Sequence, residues 1–177
     1  MKKGLHNAAI LTATVNLIIS VLSYFYFLYL SNNAMLSGSM GLEHKQSVIH
    51  VLDLLCLAAD VVFLVCIFKR RLALTCVYWF AIALSAVLVY FADPLTTFIA
   101  VCFVLIGVLI PFTKLKPKVK YTVILIMTGV VLAVEVFILV DIGELNTLIA
   151  AIFPWYPAAP LLPTLATMLM TAAQRSE

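Results

Sequence analysis

Polar and apolar positions along this chain separate into long blocks. Apolar runs of about 20 residues recur between short polar segments, the length needed to cross a bilayer as a helix. They predict six helices, at 8–30, 47–68, 72–91, 95–112, 121–140 and 147–173. The period-2 alternation of a membrane barrel is absent. The pattern therefore predicts an all-α, polytopic helical membrane bundle forming one integral membrane domain over residues 1–177, with the lipid bilayer as its solvent. No polar segment exceeds about 16 residues, too little for a soluble domain.

The last apolar segment is interrupted. Pro154, Pro157, Pro160 and Pro163 recur every third residue. An interior proline removes a backbone bond and costs about 3 kcal/mol, so no regular helix runs through all four. The expected solution is a short helix at 147–153, a proline-rich entry packed against protein or water, and a helix at 164–173. A re-entrant hairpin is the alternative. Residues 31–46 form the longest loop, with Ser37, Gly38, Ser39 and Gly41 making it adaptable, either as a lid over the bundle or as a plain connector. The start of the chain resembles a signal peptide only in its basic leader; the apolar run that follows is too long, and it is expected to be retained.

Composition agrees with the pattern: 65% of the 177 residues are hydrophobic and 11% charged, against roughly 25% charged in soluble domains. Charge placement adds orientation. Of the 11 basic residues, only Lys45 falls on one side of successive spans. Lys2, Lys3, Lys69, Arg70, Arg71, Lys114, Lys116, Lys118, Lys120 and Arg175 fall on the other. The positive-inside rule then puts both termini in the cytoplasm, as expected of a multi-pass protein of the plasma membrane. Glu43, Asp93, Asp141 and Glu144 fall outside. No nucleic acid is expected as a partner.

Candidate chemistry lies within the spans. His50, Asp53 and Asp60 interrupt the second, and Asp53 and Asp60 lie only about 20° apart around a helix axis, with Cys56 beside them. An acid at the bilayer centre costs about 2.5–3.5 kcal/mol on insertion scales, so this stripe is expected to face inward. Thr12, Asn16, Ser20 and Ser23 share a face of the first span, and Thr128 and Glu135 a face of the fifth. Counted from span midpoints, Asp60 and Asn16 fall at one depth, Asp53 and Glu135 at another nearer the outside. No lysine or arginine reaches either level. The acids must be protonated, hydrated, or paired with a metal ion, a shared proton or an amine substrate. The competing reading is a neutral, hydrogen-bonded network that only specifies helix packing. Cys56, Cys66, Cys76 and Cys102 form no C-x-x-C pair and read as packing residues.

These features point to a small membrane transporter, or the substrate-binding membrane subunit of one. Its solute would be a cation, a protonated amine or a proton-coupled solute held by Asp60, Glu135, Asp53, Asn16 and His50; no cofactor is named by the pattern. The alternative is a non-transporting accessory or assembly subunit that binds other membrane helices. Six spans with both termini inside, a loop over the first hairpin and Ala9-x-x-x-Ala13 in the first span resemble an energy-coupling-factor S component. That resemblance implies another membrane subunit and an energising ATPase module as partners. The chain departs from it in having only six glycines. Acids on the second and fifth spans also resemble the cation-diffusion facilitators, but the paired H/D-x-x-x-D motifs are missing, so no residue is carried over. An enzyme is not expected: H-E-x-x-H, G-x-S-G, and the Y-D and G-x-G-D pair of aspartyl intramembrane proteases are all absent.

The topology is open to direct test. In a background lacking native cysteines, single cysteines at Ser37 and Gly143 should react with an impermeant thiol reagent in intact cells, and one at Lys116 only after permeabilisation. Labelling of the extreme C-terminus from outside would replace the sixth crossing with the re-entrant hairpin.

Overall fold

A computed structural model of the chain describes residues 2–32, 46–90, 94–112, 114–141 and 160–175. Its elements are α1 (Lys2–Asn32), α2 (Gln46–Phe68), a 3-10 turn (Leu72–Thr75), α3 (Cys76–Tyr90), α4 (Pro94–Phe112), α5 (Pro117–Asp141) and α6 (Leu161–Arg175). All regular structure among the described residues is helical. Two stretches, Lys3–Tyr26 and Pro117–Val136, are long and apolar enough to cross a membrane. The apolar stretches of α2, of the 3-10 turn with α3, and of α4 are shorter, at Leu54–Phe68, Leu72–Leu84 and Ala100–Ile110.

Prolines mark helix starts. Pro94 and Pro117 are the first residues of α4 and α5, where a missing N–H costs nothing. Pro163 is the third residue of α6, still inside its first turn. The last helix therefore begins at Leu161, three residues earlier than the proline pattern suggests, because a first-turn proline breaks no hydrogen bond. The short helix expected at 147–153 and most of the loop at 31–46 lie outside the described residues.

Each helix packs on its neighbours in chain order, and α6 lies between α5 and α1, so the six helices close into a ring. On α1, Ala9, Ala13, Ser20 and Ser23 are buried, whereas Leu11, Val15, Ile18, Leu22 and Phe25 are exposed. The steps of three, four and seven residues within the sets separate two faces of one helix. On α5, Ile124, Thr128, Val131 and Glu135 are buried while Ile126, Val130 and Val136 face out. On α1 the buried face is small and polar and the outward face large and apolar, the reverse of a helix in a soluble bundle.

Two kinds of packing hold the ring. Phe63 of α2, Tyr78 and Trp79 of α3 and Phe103 of α4 form a run of ring contacts with centroids 4.6, 5.3 and 5.2 Å apart. Such pairs contribute about 0.5–1.5 kcal/mol each beyond their buried area. Gly107 of α4 lies against α3; a Cβ there would meet the Cβ of Trp79 at 3.4 Å, an ordinary van der Waals contact. On the other side, Ala9 and Ala13 of α1 and Ala166 of α6 are buried small residues in the same core, which permits close contact of those two helices.

The turn after α2 is a Schellman motif. Arg71 N–H donates to Cys66 O at 2.8 Å and Arg70 N–H to Ile67 O at 3.1 Å. Arg70 occupies the left-handed position, at φ 55°, where glycine is usual. Gln174 Nε2 donates to Arg70 O at 3.0 Å, so the C-terminal end of α6 sits beside this basic turn. Comparing Arg70→Gly with Arg70→Val, both of which remove the charged side chain, isolates the backbone strain. The glycine variant should be the more stable by about 1–2 kcal/mol in denaturant unfolding in detergent. Equal stability would show that the turn relaxes when the arginine is removed.

Candidate functional site

Asn16 and Ser20 lie one helical turn apart on α1, on the face turned to α2. Between them they bracket Asp60. Asn16 Nδ2 donates to Asp60 Oδ1 at 2.8 Å, and Ser20 Oγ donates to Asp60 Oδ2 at 2.6 Å. Asp60 is only 4% exposed, and these two neutral groups are its polar partners among the described residues. The pairing ties the first two helices at mid-length.

Glu135 of α5 is fully buried, at 0% exposure. Its Oε1 lies 3.2 Å from Thr164 Oγ1 of α6, and its Oε2 has no hydrogen-bond partner among the described residues. Thr164 Oγ1 is also 3.0 Å from Pro160 O. A hydroxyl carries one hydrogen, so it can donate fully to only one of these acceptors. If Glu135 carries a proton, both contacts are satisfied: the acid donates to Thr164, and Thr164 donates to Pro160. If Glu135 is ionised, Thr164 must choose.

Trp79 Nε1 and Thr167 Oγ1 are also buried without a hydrogen-bond partner among the described residues. Most hydroxyls in the fold bond their own helix, as Thr12 does to Ala8 O, Thr128 to Ile124 O and Thr171 to Thr167 O. Tyr78 is almost fully buried and stacks against Phe63 of α2. The interior therefore holds two carboxyls on opposite flanks of the aromatic run, one closing the α1–α2 seam and the other the α5–α6 seam.

Among the residues named from sequence, the structure brings Asn16 to Asp60, and Glu135 hydrogen-bonds Thr164 and not Asp60. Ser23 bonds its own helix at Ile19 O, and Cys56 is buried packing. His50 and Asp53 are on α2, but their side chains lie outside the described residues. Thr164, Thr167 and Tyr78 were missed. The spacing Thr164, Thr167, Thr171 was a usable signal, since it is a hydroxyl stripe on one helix face, obscured by the prolines before it. Among the described residues, no group of three or more His, Cys, Asp or Glu is placed to hold a metal ion.

Comparison with known protein families, with characterised proteins and with solved structures finds no match to this chain.

Ser20→Ala should leave Asp60 Oδ2 without its donor in a site water does not reach. The expected loss is about 0.6–2 kcal/mol, the range for hydrogen bonds between membrane helices and for orphaned acceptors. In a double-mutant cycle with Asp60→Ala, measured by unfolding in detergent, most of that loss should appear as coupling. Additive effects would mean that the 2.6 Å contact carries no energy.

Proposed function

We propose that this chain is a six-span helical membrane protein that transports, or binds as the membrane subunit of a transporter, a cation, a protonated amine or a proton-coupled solute. The observation that carries this reading is the pair of buried carboxyls, Asp60 and Glu135, enclosed by a ring of helices with an apolar exterior. Neither acid has a basic partner among the described residues. Two desolvated acids cost far more than packing alone needs, and a neutral isostere at each position would hold the same helices together. A group that must be able to become negative explains the choice of acid.

The ring supports the membrane assignment of the shorter helices. Each of α2, α3 and α4 packs between two neighbours and keeps large apolar side chains on the outside, among them Val61, Val65, Val77, Leu84, Val101 and Val108. In water such an exterior would associate; in lipid it is the expected surface. The basic turn at Lys69–Arg71 and the adjacent end of α6, with Arg175, then form part of the cytoplasmic face, at the plasma membrane.

The test uses purified protein in liposomes that enclose a pH-sensitive dye. An imposed sodium or methylammonium gradient should produce a protein-dependent pH change or uptake. The double variant Asp60→Asn with Glu135→Gln, close to isosteric, should remain folded and lower that signal at least tenfold. A double variant that transports like the wild type would remove the reason for treating the acids as functional and leave the packing network.

A further inference from the structure

We propose that Glu135, Thr164 and Thr167 form the binding site for a single monovalent cation with hard, oxygen-directed chemistry, sodium or a primary ammonium, and that Asp60 is a positioning residue. The inference rests on the cation reading above and divides the work between its two acids.

Hydrogen-bond bookkeeping separates them. Both oxygens of Asp60 already accept a hydrogen bond, at 2.8 and 2.6 Å. Glu135 has one contact at 3.2 Å and a second oxygen with none, in a side chain that is 0% exposed. A buried acceptor left over costs about 1–3 kcal/mol. The fold has found two donors for one acid and left the other under-bonded.

Thr167 adds an independent observation. Thr12, Thr14, Thr128, Thr164 and Thr171 each donate to the carbonyl four residues back. Thr167, as fully buried as Thr128, Thr164 and Thr171, does not, and its Oγ1 has no partner among the described residues. It sits one turn from Thr164, with the two Cβ atoms about 5–6 Å apart. The proposed site takes its oxygens from the Glu135 carboxylate, from Thr164 beside it and from Thr167 one turn along α6.

The charge of the ligand follows from the charge of the site. Among the described residues Glu135 is the only acid on this seam at its level, since Asp141 closes α5 six residues further on and Arg175 is the only charged residue of α6. The only ionisable side chain of α4 is Cys102, and Tyr78 and Asp60 face the interior from α3 and α2. One carboxylate neutralises one positive charge; a divalent ion would keep an uncompensated charge in an apolar interior. Oxygen donors select sodium or an N–H donor over the softer metals that prefer sulfur or imidazole.

The same carboxyl accounts for the state without a cation. A protonated Glu135 donates to Thr164, which donates to Pro160 O. On binding, the O–H bond of Glu135 breaks, its proton leaves to solvent, and the cation takes its place on the carboxylate. Cation uptake should therefore release one proton per ion.

Full-length protein in nanodiscs, in weak buffer with a pH dye, would be titrated with sodium chloride or methylammonium chloride, with choline chloride matching ionic strength. One of the two cations should release one proton per site, and which one does so identifies the ligand source. Glu135→Gln should abolish binding and release. Glu135→Asp should keep the one-proton stoichiometry with affinity weakened at least tenfold, which decides the matter if the glutamine variant does not fold. Thr167→Val should weaken affinity at least threefold. Asp60→Asn should lower thermal stability yet still release one proton per cation. Binding retained in Glu135→Gln, or an unchanged affinity in Glu135→Asp, overturns the assignment, as does loss of release confined to Asp60→Asn. If neither cation releases protons from the wild type while liposome uptake persists, this inference fails alone. If uptake is also absent, the transport reading fails with it.

Discussion

The rest of the structure answers to one constraint, the desolvation of two carboxyl groups. An acid removed from water without partners costs several kcal/mol, and more if ionised. At Asp60 the answer is geometric. Asn16 and Ser20 are one turn apart, so two short side chains on a single helix reach both oxygens of the same carboxyl. This fixes the register of α1 on α2, since sliding one helix by a residue moves it about 1.5 Å and breaks both contacts. Glu135 is answered by one threonine whose hydrogen is shared with a backbone carbonyl, and it stays partly unsatisfied.

Around those two seams the ring divides by material. Helices α2 to α4 meet through Phe63, Tyr78, Trp79 and Phe103, large rigid surfaces with little freedom to move past one another. Helix α6, packed on α1 and α5, turns Thr164, Ala166, Thr167, Met170 and Thr171 inward, and all but Met170 are small side chains that allow close approach. The aromatic side suits a scaffold. The alanine and threonine side holds the under-bonded Glu135.

The N-terminal half of the site was legible in the sequence because its residues keep helical spacing inside uninterrupted apolar runs. The inward stripe through Asn16 and Ser20, the inward Asp60, and the shared depth of Asn16 and Asp60 all follow from 3.6 residues per turn and 1.5 Å per residue. The C-terminal half was obscured. Four prolines break the apolar run before α6, and without a helix start there is no way to assign Thr164 or Thr167 a depth or a face.

Local sequence determined the all-helical class, the inward and outward faces of α1, α2 and α5, and the basic turns, because periodicity, hydropathy and proline position act within one segment. The tertiary structure alone decided which helices touch. Sequence places Asp60 and Glu135 each on a face, but not the neighbour that face meets. Closure of the ring, with α6 between α5 and α1, gives Asp60 two donors and Glu135 a single shared one. That difference arises from contacts between residues 29 and 44 positions apart in the chain, and no local spacing rule reaches that far.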